Sequence, residues 1–181
     1  MITGFNSLID DITHLLKLPK LRVLEGRIFD EESLSMIVDH ILNHQEQFRD
    51  VQLNIDMGDN MDLEDGSTLL KRLLMCHSLH YLSIAYCRVS KLAAYQVQLY
   101  QNVIELQLTD TRIEEDPMKI LEKLPMLRVL GLWRSPYVGR EMVCEATGFP
   151  QLRELSLNDL RNLVEWRVEK GAMHNLSHLV K

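Results

Sequence analysis

Leu124-Pro-Met-Leu-Arg-Val-Leu-Gly-Leu-Trp133 is the stretch that decides how the chain is read. Leucines stand at 127, 130 and 132, Pro125 precedes the first of them by two residues, and the small polar Ser135 closes the unit. The same spacing recurs as Leu21, Leu24, Gly26; Phe48, Val51, Leu53; Leu79, Leu82, Ile84; Val103, Leu106, Leu108; and Leu152, Leu155, Leu157. A last unit begins with Leu176 and Leu179. First positions are separated by 27, 31, 24, 24, 25 and 24 residues. Around Leu130 and Leu132 the apolar residues alternate with a period of two, which is a strand's period and not a helix's. A fixed period held over seven units marks a stacked array in which each unit buries its apolar side against its neighbours.

The L-x-x-L-x-L spacing at this period is that of leucine-rich repeats. The expected fold is therefore α/β: a leucine-rich-repeat solenoid, a horseshoe arc with a concave parallel β-sheet and an irregular or helical convex side. One domain, residues 1–181, holds about seven repeats. Two coincidences set the register. Pro19, Pro125 and Pro150 each stand two residues before a first apolar position, where proline is tolerated because it enters a strand and does not interrupt its ladder. The ninth position is Cys87, Thr111 and Ser135 in successive units, small side chains able to satisfy the backbone where it leaves the strand.

Composition narrows the class. A net charge of −6 lacks the basic footprint that nucleic acid demands. The three cysteines, Cys76, Cys87 and Cys144, are an odd number without a framework spacing, which favours a reducing compartment and a cytoplasmic protein. MITGFNSLIDD has neither a basic nor an apolar leader region, and no apolar run is long enough to span a bilayer. Both ends read as cut. Leu8, Ile12, Leu15 and Leu16 look like the helical back of an earlier repeat, and Lys181 falls inside a strand, so a fragment of a longer chain is expected.

Between strands, Asp30-Glu-Glu-Ser predicts a capped helix with Leu34, Ile37, Val38, Ile41 and Leu42 on one side. Residues 56–66 read as a solvated loop, followed by a short helix capped by Ser67. The segment from Ser90 to Gln101 reads as irregular. Asp116 and Pro117 predict a helix start with Met118, Leu121 and Leu124 inward. Gly139 and Gly148 break the fifth return, and Leu163, Val164, Trp166 and Val168 alternate too unevenly to assign.

Reactive constellations are weak. Gly131 and Gly139 are not followed by the G-K-[ST] of a phosphate loop. His40 and His44 share a helix face, but Ile41 stands where a metalloprotease helix has glutamate and no third ligand is evident. Cys76, His77 and His80 read as packing residues. No enzyme, no cofactor-binding residue and no metal site are expected in this segment, with a metal held by His40 and His44 as the outside alternative.

The residues between the leucines must face the concave side. Those singled out as candidate protein contacts are Tyr81, Tyr86, Glu105, Gln107, Asp110, Trp133, Arg134, Glu154, Asn158 and Asp159. Aromatic and arginine side chains dominate interface energetics; Tyr81, Tyr86, Trp133 and Arg134 bracket an acidic, polar unit. The carboxylates of Asp50, Glu105, Asp110, Glu154 and Asp159 suggest a basic partner surface.

The run from Arg112-Ile-Glu-Glu-Asp-Pro-Met through Leu-Glu-Lys-Leu-Pro-Met-Leu-Arg-Val-Leu, then Tyr137-Val-Gly-Arg-Glu-Met-Val-Cys144, resembles the C-terminal repeats of plant coiled-coil, nucleotide-binding, leucine-rich-repeat disease-resistance proteins. Gly148-Phe-Pro-Gln-Leu-Arg-Glu-Leu and Val164-Glu-Trp-Arg-Val-Glu-Lys-Gly-Ala-Met173 are similar to that family too. The resemblance implies an ADP/ATP-dependent switch whose repeats sense a pathogen effector or a guarded host protein and restrain its own nucleotide-binding domain. It implies a cytoplasmic location, with the inner face of the plasma membrane as a second place of action. No nucleotide-binding or coiled-coil motif lies in these residues. The alternative from a different class is the substrate-recruiting repeat domain of an F-box-type ubiquitin ligase, which an upstream F-box-like helical motif would favour.

Overall fold

The computed structural model describes residues 1–15, 17, 18, 20–58, 72, 73, 75–86, 88, 92 and 102–181. Its described strands are β1 (Ile2–Asn6), β2 (Val23–Ile28), β3 (Asp50–Asp56), β4 (Leu79–Ala85), β5 (Glu105–Thr109), β6 (Val129–Trp133), β7 (Glu141–Cys144), β8 (Glu154–Leu157), β9 (Glu165–Val168) and β10 (His178–Val180). Eight of them form one parallel sheet in the order β1-β2-β3-β4-β5-β6-β8-β10. Leu82, Leu106, Leu130 and Leu155 stand opposite one another on adjacent strands. Leu82 and Leu106 are buried, and Leu130 and Leu155 are fully so. The side chains spaced three and then two apart therefore form one continuous core beneath the sheet, as the repeat spacing requires.

Two features depart from the sequence reading. The first is β1. Residues 2–6 form a strand that pairs with β2 through Ile2, Phe5 and Asn6, with a shift of register after Ile2, so the N-terminal unit has a strand as well as a helical back, α1 (Ile12–Leu15). Leu8, expected in that back, is 68% exposed. β1 carries no L-x-x-L-x-L spacing and buries only Phe5, which packs against Gly26, a core position without a side chain. Phe5, opposite it, fills the vacancy: a Cβ at Gly26 would meet the Phe5 ring at 2.9 Å.

The second is register. Equating L-x-x-L-x-L positions places Val51 opposite Leu82, whereas Leu53 stands there, two residues along. Val51 pairs with Leu79 and Gln52 with Tyr81, leaving His80 as an extra residue in a β-bulge. A shift of two preserves which face each side chain takes, because the strand's period is two. The division into core and open-face residues survives while the rows across the sheet are displaced.

The return segments close the other face. In α2 (Glu31–Asn43) Leu34, Ile37, Val38 and Ile41 are buried. Asp30 caps it, one carboxylate oxygen accepting from the Ser33 N–H at 2.7 Å and the other from the Ser7 hydroxyl at 2.9 Å. Asp30→Ala removes both acceptors and is expected to lower stability by about 1 kcal/mol, read by urea denaturation; an unchanged midpoint would show that the cap carries no weight. The Ser67-capped helix and most of the loop over 56–66 and of the segment from Ser90 to Gln101 lie outside the described residues. Leu73 and Leu92, which are described, are buried.

α3 (Met118–Leu121) begins where Asp116 and Pro117 predict. Asp116 Oδ1 accepts from the Met118 N–H at 3.0 Å, and Met118, Leu121 and Leu124 are fully buried. In the next two returns the convex side carries a short sheet as well. There β7 and β9 pair in parallel as a second, two-stranded sheet. Met142 and Cys144 alternate inward along β7. Carboxylates of the preceding return hold this layer: Asp116 Oδ2 accepts from the Val143 N–H at 3.0 Å and Glu122 Oε2 from the Glu145 N–H at 2.7 Å. The signal is faint in sequence because β9 buries little, its residues being exposed or half-buried.

Candidate protein-interaction surface

Pairing aligns the residues between the leucines into rows across the open face of the sheet. One row runs Glu25, Gln52, Tyr81, Glu105, Val129, Glu154, His178. The next runs Arg27, Asn54, Ser83, Gln107, Gly131, Ser156, Val180. Neighbours in a row are one strand apart, about 4.8 Å, which sets Glu105 directly beside Tyr81, with Glu154 two strands beyond Glu105. Burial pushes the Tyr81 phenol up, and the carboxylates of Glu105 and Glu25 push it the same way, against the hydrogen bond with Ser83. The strip is thus negative around a central aromatic ring. Tyr81 also donates to Asn54 Oδ1 at 3.3 Å, and Gln107 Nε2 donates to Glu105 Oε1 at 2.8 Å. These bonds fix the polar groups without removing their charge.

The bulge adds a contact that sequence reasoning missed. His80 Nδ1 lies 2.9 Å from Asp50 Oδ1, and Gln52 Nε2 donates to the other carboxylate oxygen at 2.8 Å. The indole of Trp133 folds back along β6 over Gly131, where a Cβ would meet Nε1 at 2.2 Å. Glycine at 131 is therefore what lets a large aromatic lie flat on the face, still 36% exposed. Gly131→Val should lift the indole off the sheet, seen as a red-shifted, more quenchable tryptophan emission. Fluorescence identical to wild type would mean that the glycine does not set the indole's pose; Trp133→Phe identifies which of the two tryptophans reports.

Only part of the candidate set lies on this face. Tyr81, Glu105, Gln107, Trp133 and Glu154 lie on its strands, and Asn158 follows β8, its N–H bonded to the Leu132 carbonyl. Tyr86, Asp110, Arg134 and Asp159, expected on the concave side, instead occupy the turns where the chain leaves each strand. Their φ values are 53°, 51°, 53° and 59°. The left-handed backbone ends strand geometry at that residue, so these side chains line a rim. At that rim Thr111, fully buried, donates its hydroxyl to the Pro136 carbonyl at 3.0 Å, as its ninth position predicts.

Along the rim Asp110, Arg112, Arg134, Ser135, Val138, Asp159 and Arg161 enclose an open groove of about 640 Å³. Arg112 Nε donates to Asp110 Oδ1 at 3.1 Å, and Arg161 holds Asp159 through two bonds of 2.7 and 3.1 Å. Arg134 Nη1 donates instead to the Tyr86 hydroxyl at 2.5 Å. Arg112 and Arg161 were not among the sequence candidates, although Asp-x-Arg recurs at 110–112 and 159–161.

Among the described residues the possible metal ligands do not gather into a group of three. The His40 and His44 rings stack at 4.5 Å, and His44 Nδ1 lies 2.9 Å from the His40 carbonyl. Burial, then the neighbouring His44, pushes the His40 pKa down. The Cys76 thiol is pushed up to about 12 by burial, and its Sγ lies 3.8 Å from the Arg72 carbonyl. His77 is exposed and His80 is held by Asp50. Among the described residues, no group of three or more His, Cys, Asp or Glu side chains is placed to hold a metal ion, and no helix is long and apolar enough to cross a membrane.

Stacked parallel strands, a shared leucine core and a polar open face define a leucine-rich-repeat protein-interaction module. A family model described as "Leucine-rich repeat region" matches residues 3–180, and the chain belongs to that family. Curated relatives include plant proteins. It is 35% identical over 176 residues to the "Probable disease resistance protein RXW24L" of Arabidopsis thaliana, covering 96% of this chain and 18% of that protein. It is 45% identical over 85 residues to the "Disease resistance RPP8-like protein 3" of the same plant, covering 47% of this chain and 9% of that one. The "Probable disease resistance protein RF45", also from Arabidopsis thaliana, is 31% identical over 175 residues, 93% of this chain and 15% of its own length. The chain is thus a repeat segment of the plant disease-resistance type and spans less than a fifth of these relatives. No solved structure gives a significant match.

Proposed function

We propose that this chain is the partner-recognition and autoinhibitory segment of an intracellular plant immune receptor. Its open sheet face meets a basic protein surface, belonging either to a pathogen effector or guarded host protein or to the receptor's own nucleotide-binding domain. It acts in the cytoplasm and carries no catalysis and no cofactor; the nucleotide switch belongs to another part of the whole protein. The observation that carries this reading is the row Glu25, Tyr81, Glu105 and Glu154, an acidic strip around an aromatic centre on the face that the return segments leave open. Such a strip attracts cations by charge and offers the ring face of tyrosine for a guanidinium or ammonium. The disease-resistance names of the relatives supply the setting.

The test is to express the whole gene product in leaf tissue with Tyr81→Ala, Glu105→Lys and Trp133→Ala combined. Loss of partner-triggered cell death, or its onset without a partner, is the expected result at normal protein accumulation. Unaltered signalling in both respects would overturn the open-face reading.

A further inference from the structure

We propose that the rim groove beside β5, β6 and β8 is a binding site for a phosphate group. Three guanidiniums, Arg112, Arg134 and Arg161, line it in a chain whose net charge is −6. Their side chains are exposed, and exposed ion pairs contribute little to folding. Stability alone gives little reason to gather three like charges there. Asp110 and Asp159 neutralise Arg112 and Arg161, whereas the partner of Arg134 is the neutral Tyr86 hydroxyl. Tyr86 accepts in that contact and its own proton remains available for a ligand oxygen. Ser135, in the same groove, offers a second hydroxyl donor.

The charge balance selects the ligand. A carboxylate can pair with Arg134, but as a monoanion it gains little by displacing Asp110 or Asp159 from its own arginine, so it engages one guanidinium only. A phosphate monoester carries a charge of about −1.5 to −2 and three acceptor oxygens. It can engage Arg134 through a two-pronged contact while drawing Arg112 or Arg161 away from its aspartate. The two aspartates then act as competing internal anions that hold the neighbouring guanidiniums in place until the ligand arrives. Asp110, Arg112, Arg134, Ser135 and Asp159 sit on left-handed turns, and together with Arg161 they line the one groove.

Calorimetric titration of the protein at low ionic strength with tripolyphosphate, and separately with a phosphoserine peptide, tests the site. Saturable binding is expected with at least one of them. Binding of tripolyphosphate alone identifies a free phosphate compound as the source, and binding of the peptide alone a modified side chain. Arg134→Gln should weaken it about ten-fold and Arg134→Lys, which keeps the charge but loses the fork, by less. Asp159→Asn, which releases Arg161, should tighten it several-fold. A purely structural aspartate would not produce that gain, and circular dichroism establishes that each variant is folded. The proposal falls if neither probe binds, or if Asp159→Asn and Arg134→Gln leave the affinity unchanged. It falls too if Arg128→Gln, outside the groove, weakens binding as much, or if a glutamate peptide binds as tightly as its phosphoserine counterpart. The open-face variants leave every groove residue intact, so this site and the proposed function can fail independently.

Discussion

Leu130→Ala should cost more than any surface substitution along the array, lowering stability by about 3–4 kcal/mol. Leu130 is fully buried in the row that joins Leu106 to Leu155, and its strand has neighbours on both sides. Truncation removes apolar surface from the core and leaves a void that flanking leucines, already locked in register, cannot fill. In a solenoid each unit contacts only its neighbours, so the loss should melt the repeats around β6 before those around β2. Hydrogen exchange of the amides in β5, β6 and β8 resolves this. Leu179→Ala is the control, because Leu179 continues the same row on β10 but is 47% exposed. It should cost less than about 1 kcal/mol. Equal losses in urea denaturation for the two variants would refute a core graded along the array.

Glu122→Ala should follow, at about 2 kcal/mol, because it leaves the Glu145 N–H without its acceptor. Glu122 is only 3% exposed, and its Oε2 accepts that N–H at 2.7 Å. The neighbouring Gly148 makes room for the carboxylate, since a Cβ there would meet Oε2 at 2.8 Å. Glu122→Gln keeps an acceptor and should cost far less.

The two variants also separate the bond from the charge. Burial pushes the Glu122 pKa up; the carboxylates of Glu145 and Asp116 add to the rise, and the Glu145 N–H and Lys123 oppose it. Asp116 is raised as well, again chiefly by burial. A carboxyl raised in the folded state binds its proton more tightly folded than unfolded. Its contribution is whole below the unfolded carboxyl range and is lost as pH rises through the folded value. Wild type should therefore lose stability relative to Glu122→Gln on going from acid to neutral pH. A difference that stays flat or grows the other way would contradict the raised value.

The rim and the open face divide the candidate residues by chemistry as well as by place. The strands present carboxylates and aromatics, while the turns present paired aspartates and arginines. Treating both as one concave surface blurs that division, because alternation along a strand says nothing about the residue at which the strand stops. The turn at Arg134 depends on a backbone conformation, and its contact with Tyr86 spans 48 residues of sequence.

By itself the sequence determined the repeat, the parallel sheet and the inward leucines, because spacing of three and then two is a local property of the chain. Asp30 and Asp116 were legible as caps for the same reason: each acts on an N–H two or three residues away. The tertiary structure alone decided what depends on neighbours in other repeats. Phe5 completes the core at Gly26, His80 bulges out to meet Asp50, and Asp116 and Glu122 hold a convex layer whose second strand buries almost nothing of its own. The arginine groove belongs with these: Arg112, Arg134 and Arg161 come from three separate turns and share one space only when the repeats are stacked.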